Sequence, residues 1–80
     1  MISFSEFLEK FSFAVEDENA KNLKPNDSFR SLENWDSLSE MSIIAMIDQE
    51  FNLRIKTVDM NNLITIQQLY DYIQSKRKND

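Results

Sequence analysis

The most informative segment of the chain covers residues 36–52 and reads DSLSEMSIIAMIDQEFN. Its apolar residues recur at three- and four-residue intervals, which predicts an α-helix that begins at Ser37 or Leu38 and ends at Phe51. Asp36 is the expected N-cap, because its carboxylate can accept a hydrogen bond from a free N–H group of the first turn. The asparagine after Phe51 is expected to take the left-handed conformation that often ends a helix.

This predicted helix carries two apolar stripes on nearly opposite sides, taking about 100° of rotation per residue. The first stripe consists of Ile43, Ile44, Ile47 and Phe51, and the second of Leu38, Met41 and Ala45. A chain of 80 residues has room for one small core. The helix is therefore expected either to lie in the middle of a bundle or to offer its second stripe to partners.

Outside this segment, apolar periodicity predicts further helices and no strand. Ser3 with Glu6, and Thr65 with Gln68, have the spacing of capping boxes at two helix starts. The predicted elements are a helix over residues 4–15, a short helical turn over 57–62 and a last helix from 65 through 75. The fold class is thus all-α, a small bundle of three main helices plus one short helix, forming a single domain over residues 1–80.

Between the first two main helices, residues 16–35 lose this periodicity and contain Pro25, the only proline of the chain. The segment is predicted to be a long loop. A loop of this length in so small a domain is normally functional or held by its own apolar residues. We expect Phe29 and Leu32 to hold it against the core.

The chain contains neither histidine nor cysteine. The commonest general base, the commonest transition-metal ligand and the thiolate nucleophile are therefore missing, and no disulfide can form. We expect no metal site, and we expect that the chain is not an enzyme. A hydrolase or transferase that uses Ser37 as its nucleophile is disfavoured, because a serine needs an adjacent base for activation.

Charge and hydropathy limit the partners. The net charge of −5 disfavours binding to nucleic acid. The basic cluster at residues 76–78 is interpreted as a solvated helix end rather than a nucleic-acid patch. Glu6 and Glu9 interrupt the apolar residues of the amino terminus, and no run approaches the ~20 apolar residues of a membrane span. We therefore expect neither a signal peptide nor a membrane span, and we expect a cytoplasmic protein.

The local sequence at Ser37 leaves two interpretations open. Asp36 and Ser37 at a helix start are common merely because they satisfy free backbone N–H groups, and Ser37 with Glu40 even has the spacing of a capping box. Local evidence alone therefore favours a capping serine over a modified one.

Three groups of residues between 28 and 73 extend this evidence. SFRSLENWDSL at 28–38 is similar to a loop leading into a modified serine, and IIAMIDQEF at 43–51 to the helix that follows it. The third group comprises Ile55, Leu63, TIQ at 65–67 and DYI at 71–73. Together these groups resemble the acyl carrier protein family over more than half of the chain.

The resemblance implies that Ser37, flanked by Asp36 and Leu38, receives 4′-phosphopantetheine from coenzyme A through a phosphopantetheinyl transferase. The thiol of this covalent arm then holds an acyl or aminoacyl group as a thioester. The implied partners are the transferase, an acyl- or aminoacyl-loading ligase and a downstream synthase or transferase, and the implied state is a monomer. Asp36 is expected to remain a cap and to contact the transferase.

The resemblance also implies a docking surface for these enzymes. Its expected members are Leu38, Met41, Ala45, Ile55 and Met60. The alternative is that these are ordinary core or scattered surface residues. A second set is expected inside the bundle, where core packing is the favoured role: Phe29, Ile47, Leu63 and Leu69.

The sequence departs from fatty-acid carriers around Ser37. Asn34 and Trp35 stand where those carriers have Gly-Ala or a similar pair, and Ser39 and Ser42 stand where they usually have acidic residues. Asn34 is expected to preserve a left-handed turn, and Trp35 to present a broad apolar surface beside the arm. These departures favour a carrier of a specialised biosynthetic pathway. The alternatives are a housekeeping fatty-acid carrier and a carrier-fold interaction module that lacks the arm, which the presence of Ser37 disfavours.

Overall fold

The computed structural model describes residues 2–78 and shows helices packed around one apolar core. Within these residues no strand forms, and Ser28 and Thr65 make an isolated bridge. The elements in chain order are α1 (Phe4–Val15), two 3-10 turns (Glu18–Asn22 and Phe29–Ser31), α2 (Ser37–Phe51), α3 (Thr57–Asn61) and α4 (Ile66–Lys78). The predicted fold class is confirmed. Residues 1, 79 and 80 of the predicted domain lie outside the described part.

The helix ends follow the predicted capping signals with one difference. Thr65 Oγ1 accepts from the Gln68 N–H at 3.0 Å, and Gln68 Oε1 accepts from the Thr65 N–H at 3.1 Å, which completes one capping box. At α1 only half of the box forms: Ser3 Oγ accepts from the Glu6 N–H, whereas the Glu6 carboxylate accepts from the Ser3 hydroxyl. Asn52 ends α2 with the predicted left-handed backbone, at φ 53°.

The core lies where α1 and α2 pack antiparallel. Phe7 near the start of α1 meets Phe51 at the end of α2, and Phe11 further along α1 stacks on Trp35 just before α2 begins. The largest side chains with no appreciable exposure are Phe7, Phe11, Phe29, Ile43, Ile47, Met60, Ile66, Leu69 and Ile73. Of the four residues predicted to line the interior, Phe29, Ile47 and Leu69 are fully buried and Leu63 is half-buried.

The long loop is held by backbone hydrogen bonds as well as by its apolar residues. Phe29 is fully buried as predicted, and Leu32 is half-buried against the core. The loop carbonyls of Asp27 and Pro25 accept from the first N–H groups of α4, at 2.9 and 3.1 Å. The loop thereby satisfies donors that the start of α4 cannot pair within the helix.

The carboxyl-terminal basic residues occupy the last turn of α4. The Arg77 guanidinium lies 5.3 Å from the centroid of the Phe51 ring, and the Lys76 ammonium lies 5.5 Å from that of Tyr72. The side chain of Lys78, the third residue of the predicted cluster, lies outside the described part. None of the described helices combines the length and apolar character that a membrane span needs.

Candidate functional site

Ser37 is the first residue of α2, and the cap is formed by Asp36 before it and Ser39 two residues after it. Asp36 has an extended backbone, so its carboxylate turns over the first turn and accepts from the Ser39 N–H at 2.9 Å and from the Ser39 hydroxyl at 3.1 Å. Ser39 Oγ in turn accepts from the Asp36 N–H at 3.3 Å. The capping box is therefore formed by Asp36 and Ser39, and the box suggested by the spacing of Ser37 and Glu40 does not form.

This cap leaves the hydroxyl of Ser37 free. The Ser37 side chain is exposed, and within residues 2–78 its Oγ makes no hydrogen bond. The hydroxyl also stands at the positive end of the α2 dipole, beside N–H groups that helix geometry leaves without an intrahelical partner. Ser37 is thus a reachable oxygen at the start of a helix whose capping does not depend on it.

The same hydrogen bonds control the charge of Asp36. The Ser39 N–H and the Ser39 hydroxyl stabilise the carboxylate and lower its pKa below the ordinary value of 3.8. Because its pKa is lowered, Asp36 stays ionised to a lower pH than an ordinary aspartate does. A carboxylate held in this way is a cap rather than a general base for Ser37.

One exposed apolar face of α2 begins next to Ser37. Leu38 is 74% exposed and Met41 is 66% exposed, and Ala45 follows one turn later, also exposed. Their spacing of three and four residues places them on one side of the helix. We call these three residues the docking stripe. Their exposure agrees with the sequence analysis, whereas the binding of partners to them stays a prediction.

Two residues assigned to the docking surface are instead buried. Ile55 is 4% exposed and Met60 is fully buried, so neither offers a side chain to a partner. In α3 the outward position belongs to Val58, which is 62% exposed. Val58 and Met60 are about 200° apart on a helix, so only one of them can face the core. A segment this short has too few residues for periodicity to decide which one does.

Arg30 was missed by the sequence analysis and connects three elements near the site. Its Nη1 donates to the Leu63 carbonyl at 2.6 Å, and its Nη2 donates to the Met60 carbonyl at 2.7 Å and lies 3.5 Å from Glu40 Oε1. The guanidinium also lies 4.5 Å from the centroid of the Phe29 ring. Arg30 thus fastens the loop and α2 to the end of α3. No sequence signal pointed to this role, because its main partners are backbone carbonyls.

Two expectations about the residues before Asp36 were wrong. Trp35 is half-buried, stacked on Phe11 with ring centroids 6.2 Å apart and set edge-on against Phe29 at 5.5 Å, so it does not form a broad apolar surface beside Ser37. Asn34 does not take a left-handed backbone, since positive φ within residues 2–78 occurs only at Glu16 and Asn52.

The turn before α2 forms without such a backbone. The Trp35 N–H donates to the Leu32 carbonyl at 3.0 Å, which closes the chain reversal around residues 33 and 34. Burial of the Trp35 ring fixes the end of this turn, and a glycine-like residue is not needed.

Comparison with known proteins gives two findings about this site. Residues 14–73 match the family described as "Phosphopantetheine attachment site". The chain is also 32% identical over 75 residues to an acyl carrier protein of Thermosynechococcus vestitus, an alignment that covers 90% of this chain and 93% of that protein. No solved structure matches the chain.

Both matches include α2 and its capped amino terminus, and the family match covers more than half of the chain. Carriers of this kind interact with phosphopantetheinyl transferases and acyl-handling enzymes and do not themselves catalyse reactions. The chain therefore belongs to the acyl carrier protein family and is a non-catalytic carrier of covalently attached 4′-phosphopantetheine.

Proposed function

We propose that Ser37 is the attachment residue, and that its arm holds acyl or aminoacyl intermediates as thioesters and presents them to partner enzymes. One observation carries the assignment. The Ser37 oxygen is exposed and free of hydrogen bonds within residues 2–78, because Asp36 and Ser39 cap α2 without it. A serine that served as the cap itself would have its oxygen occupied.

The site is chemically suited to the arm. In the loading reaction the Ser37 oxygen forms a bond to the phosphorus that carries the pantetheine, the phosphoanhydride bond of coenzyme A breaks, and adenosine bisphosphate leaves. The hydroxyl proton passes to a base of the transferase, since the only adjacent carboxylate, Asp36, is engaged as the cap. The resulting phosphodiester anion lies at the start of α2, where the helix dipole stabilises a surface anion by roughly 0.3–1 kcal/mol.

The docking stripe of Leu38, Met41 and Ala45 is the surface that we assign to the transferase and the cargo enzymes. It lies on the helix that carries Ser37, so an enzyme bound to it has the root of the arm within reach. The proposed partners are the transferase, a loading ligase and a downstream synthase or transferase, and the protein is proposed to act as a monomer. Its cytoplasmic location stays a prediction.

We further propose a specialised biosynthetic pathway rather than housekeeping fatty-acid synthesis. The structure removes one argument for this, because Trp35 is turned inward. The neutral residue Ser42 remains, half-buried on α2 where fatty-acid carriers usually have an acidic residue. Electrostatic complementarity to basic fatty-acid enzymes is correspondingly weaker on this face.

The attachment is tested by intact mass spectrometry after incubation with coenzyme A and a broad-specificity phosphopantetheinyl transferase. We expect the protein to gain the mass of one phosphopantetheine and Ser37→Ala to gain none. Ser31→Ala is the matched control, because Ser31 is also exposed but its hydroxyl donates to the Ser28 carbonyl at 2.6 Å. Modification mapped to any serine other than Ser37 would overturn the assignment.

A further inference from the structure

Phe13 in α1 is the most exposed of the large apolar residues in the described part of the chain. Its side chain is 86% exposed, although its neighbour Ser12 is only 4% exposed. Singly exposed apolar residues are common on protein surfaces. Phe13 differs from that case because it stands at the edge of a groove, so its ring is one wall of a concave surface.

The groove runs between α1 and α2 and has a volume of about 560 Å³. Its apolar lining comes from both helices: Phe13 and Ala14 on α1, and Ala45 and Met46 on α2. The lining residues of α2 extend from 42 to 50, which corresponds to about 12 Å of helix, or roughly two turns. Ala45 also belongs to the docking stripe. The groove is therefore continuous with the surface proposed above, on the side facing α1.

Acidic residues surround Phe13. Glu9 and Glu50 line the groove, and a second depression on Phe13 is lined by Glu16, Asp17 and Glu18.

The nearby cations do not balance this charge. Lys10 is paired with Glu50 at 2.6 Å, and Lys21 with Glu18 at 3.0 Å. Within residues 2–78, Glu9, Glu16 and Asp17 have no cation at salt-bridge distance. The rim is thus negatively charged around an apolar centre.

The apolar centre and the negatively charged rim together favour one kind of binding partner for the groove over others. A second copy of the chain would bring the same acidic rim and a net charge of −5, so self-association through this groove is opposed by like charges. A bare acyl chain is also poorly suited, because the open groove includes the charged side chains of Glu9, Lys10 and Glu50. The occupant that fits is a helix with an apolar face flanked by Lys or Arg.

We propose that the groove between α1 and α2, with Phe13 as its apolar anchor, docks a cationic amphipathic helix of a partner protein. The apolar face of that helix covers Phe13, Ala14 and Ala45, and its cations meet Glu9 and the acidic residues after α1. The proposal rests on the carrier function only in taking the partner to be an enzyme of the carrier's pathway. The groove itself does not involve the arm, so it can be tested on protein without one.

The probe is a synthetic amphipathic helical peptide with a leucine face flanked by lysines, titrated into the ¹⁵N-labelled protein at low salt. We expect chemical shift changes along the groove, at Phe13, Ser42, Ala45 and Gln49. The peptide with glutamate in place of lysine should not bind. Phe13→Ser should weaken binding about ten-fold or more, because the variant removes the apolar ring that the peptide would bury. Val58→Ser is the matched control, because it removes an exposed apolar residue that does not line the groove.

The charge of the rim is tested by Glu9→Gln together with Asp17→Asn. This double variant should weaken binding and reduce its dependence on salt, because exposed charges are screened beyond ~10 Å at 0.1 M. Equal binding by Phe13→Ser, or shift changes confined to other faces, would overturn the proposal. So would a concentration-dependent dimer in sedimentation equilibrium that Phe13→Ser abolishes, since the occupant would then be a second copy. Ser37→Ala should bind the peptide normally, so failure of arm attachment and failure of this groove are separate results.

Discussion

Replacing Arg30 with methionine is expected to lower the free energy of unfolding by about 3–4 kcal/mol. The substitution removes two charge-assisted hydrogen bonds, to the Met60 and Leu63 carbonyls at 2.7 and 2.6 Å, each worth about 1.5–3 kcal/mol. The Arg30 side chain is 30% exposed, so water can partly replace the lost donors and the lower part of the combined range applies. Methionine keeps much of the apolar stem of Arg30 and removes the guanidinium that lies over the Phe29 ring.

Two further variants separate the hydrogen bonds from the ion pair. Arg30→Lys should retain about half of the stabilisation, because a single ammonium lacks the two-pronged geometry that reaches both carbonyls. Glu40→Gln should cost less than about 1 kcal/mol, since the Arg30–Glu40 pair is long at 3.5 Å and partly exposed. The measurement is urea unfolding followed by circular dichroism. If Arg30→Met costs no more than Glu40→Gln, the carbonyl bonds are not what makes Arg30 important.

A local measurement gives a sharper test of the same reasoning. A helix as short as α3 is not stable alone and depends on tertiary contacts. Without Arg30, amide hydrogen exchange should accelerate most in α3 and at Leu63, whose N–H donates to the Met60 carbonyl. Faster exchange spread evenly over α1 and α3 would indicate a global loss of stability instead, and would refute the assignment of Arg30 as a positioning residue for α3.

Further predictions concern the two sides of α2 and its cap. Met41→Glu should leave thermal unfolding nearly unchanged while slowing loading by the cognate ligase. Ile47→Ala should lose about 2–5 kcal/mol of stability in the same unfolding assay. If Met41→Glu unfolds the protein, the buried and the exposed stripe of α2 have been assigned the wrong way round. Because the pKa of Asp36 is lower in the folded protein than its ordinary value of 3.8, the ionised carboxylate stabilises the fold above pH 3.8. This contribution is lost as the pH falls through the folded-state pKa. The free energy of unfolding of Asp36→Asn should therefore fall less steeply at acidic pH than that of the unaltered protein. An equally steep fall would contradict the capping assignment. Ser42→Glu should make the holo protein a better substrate for fatty-acid elongation enzymes, and added salt should erase the gain. If these enzymes elongate the unaltered protein readily, the proposal of a specialised pathway is wrong and fatty-acid synthesis is the better assignment.

The sequence predicted the long helices well because two independent signals agree at their ends. For α2, the apolar period and the cap residues Asp36 and Asn52 indicate the same limits, and the structure has Ser37–Phe51. The last helix was predicted to end at Ser75, yet α4 continues to Lys78. Its final residues are polar and carry no apolar period, but cations at a helix end are favoured by the dipole.

The site was only partly predictable for a similar reason. Leu38 and Met41 were placed correctly outside because a helix with two stripes has enough residues to establish both faces. Met60 was not, because the orientation of a short helix is decided by what it packs against. Arg30 was beyond sequence reasoning, since its partners are backbone carbonyls 30 and 33 residues away, and any residue type supplies a carbonyl.

The cap also changes how the charge of α2 should be interpreted. Ser39 counted as a missing acidic residue, but its hydroxyl donates to Asp36 and its oxygen accepts the Asp36 N–H, two roles that a carboxylate at this position cannot both fill. A neutral residue at 39 therefore serves the helix start that leaves Ser37 free, and says little about partners. Only Ser42 then remains as a sign of altered partner charge on this face, and it lines the groove beside Phe13. Glu9 on α1 and the acidic residues in the turn after it lie across that groove, where they add to the exposed Asp48 and Glu50 of α2. A partner that selects this carrier by charge is therefore expected to contact α1 as well as α2.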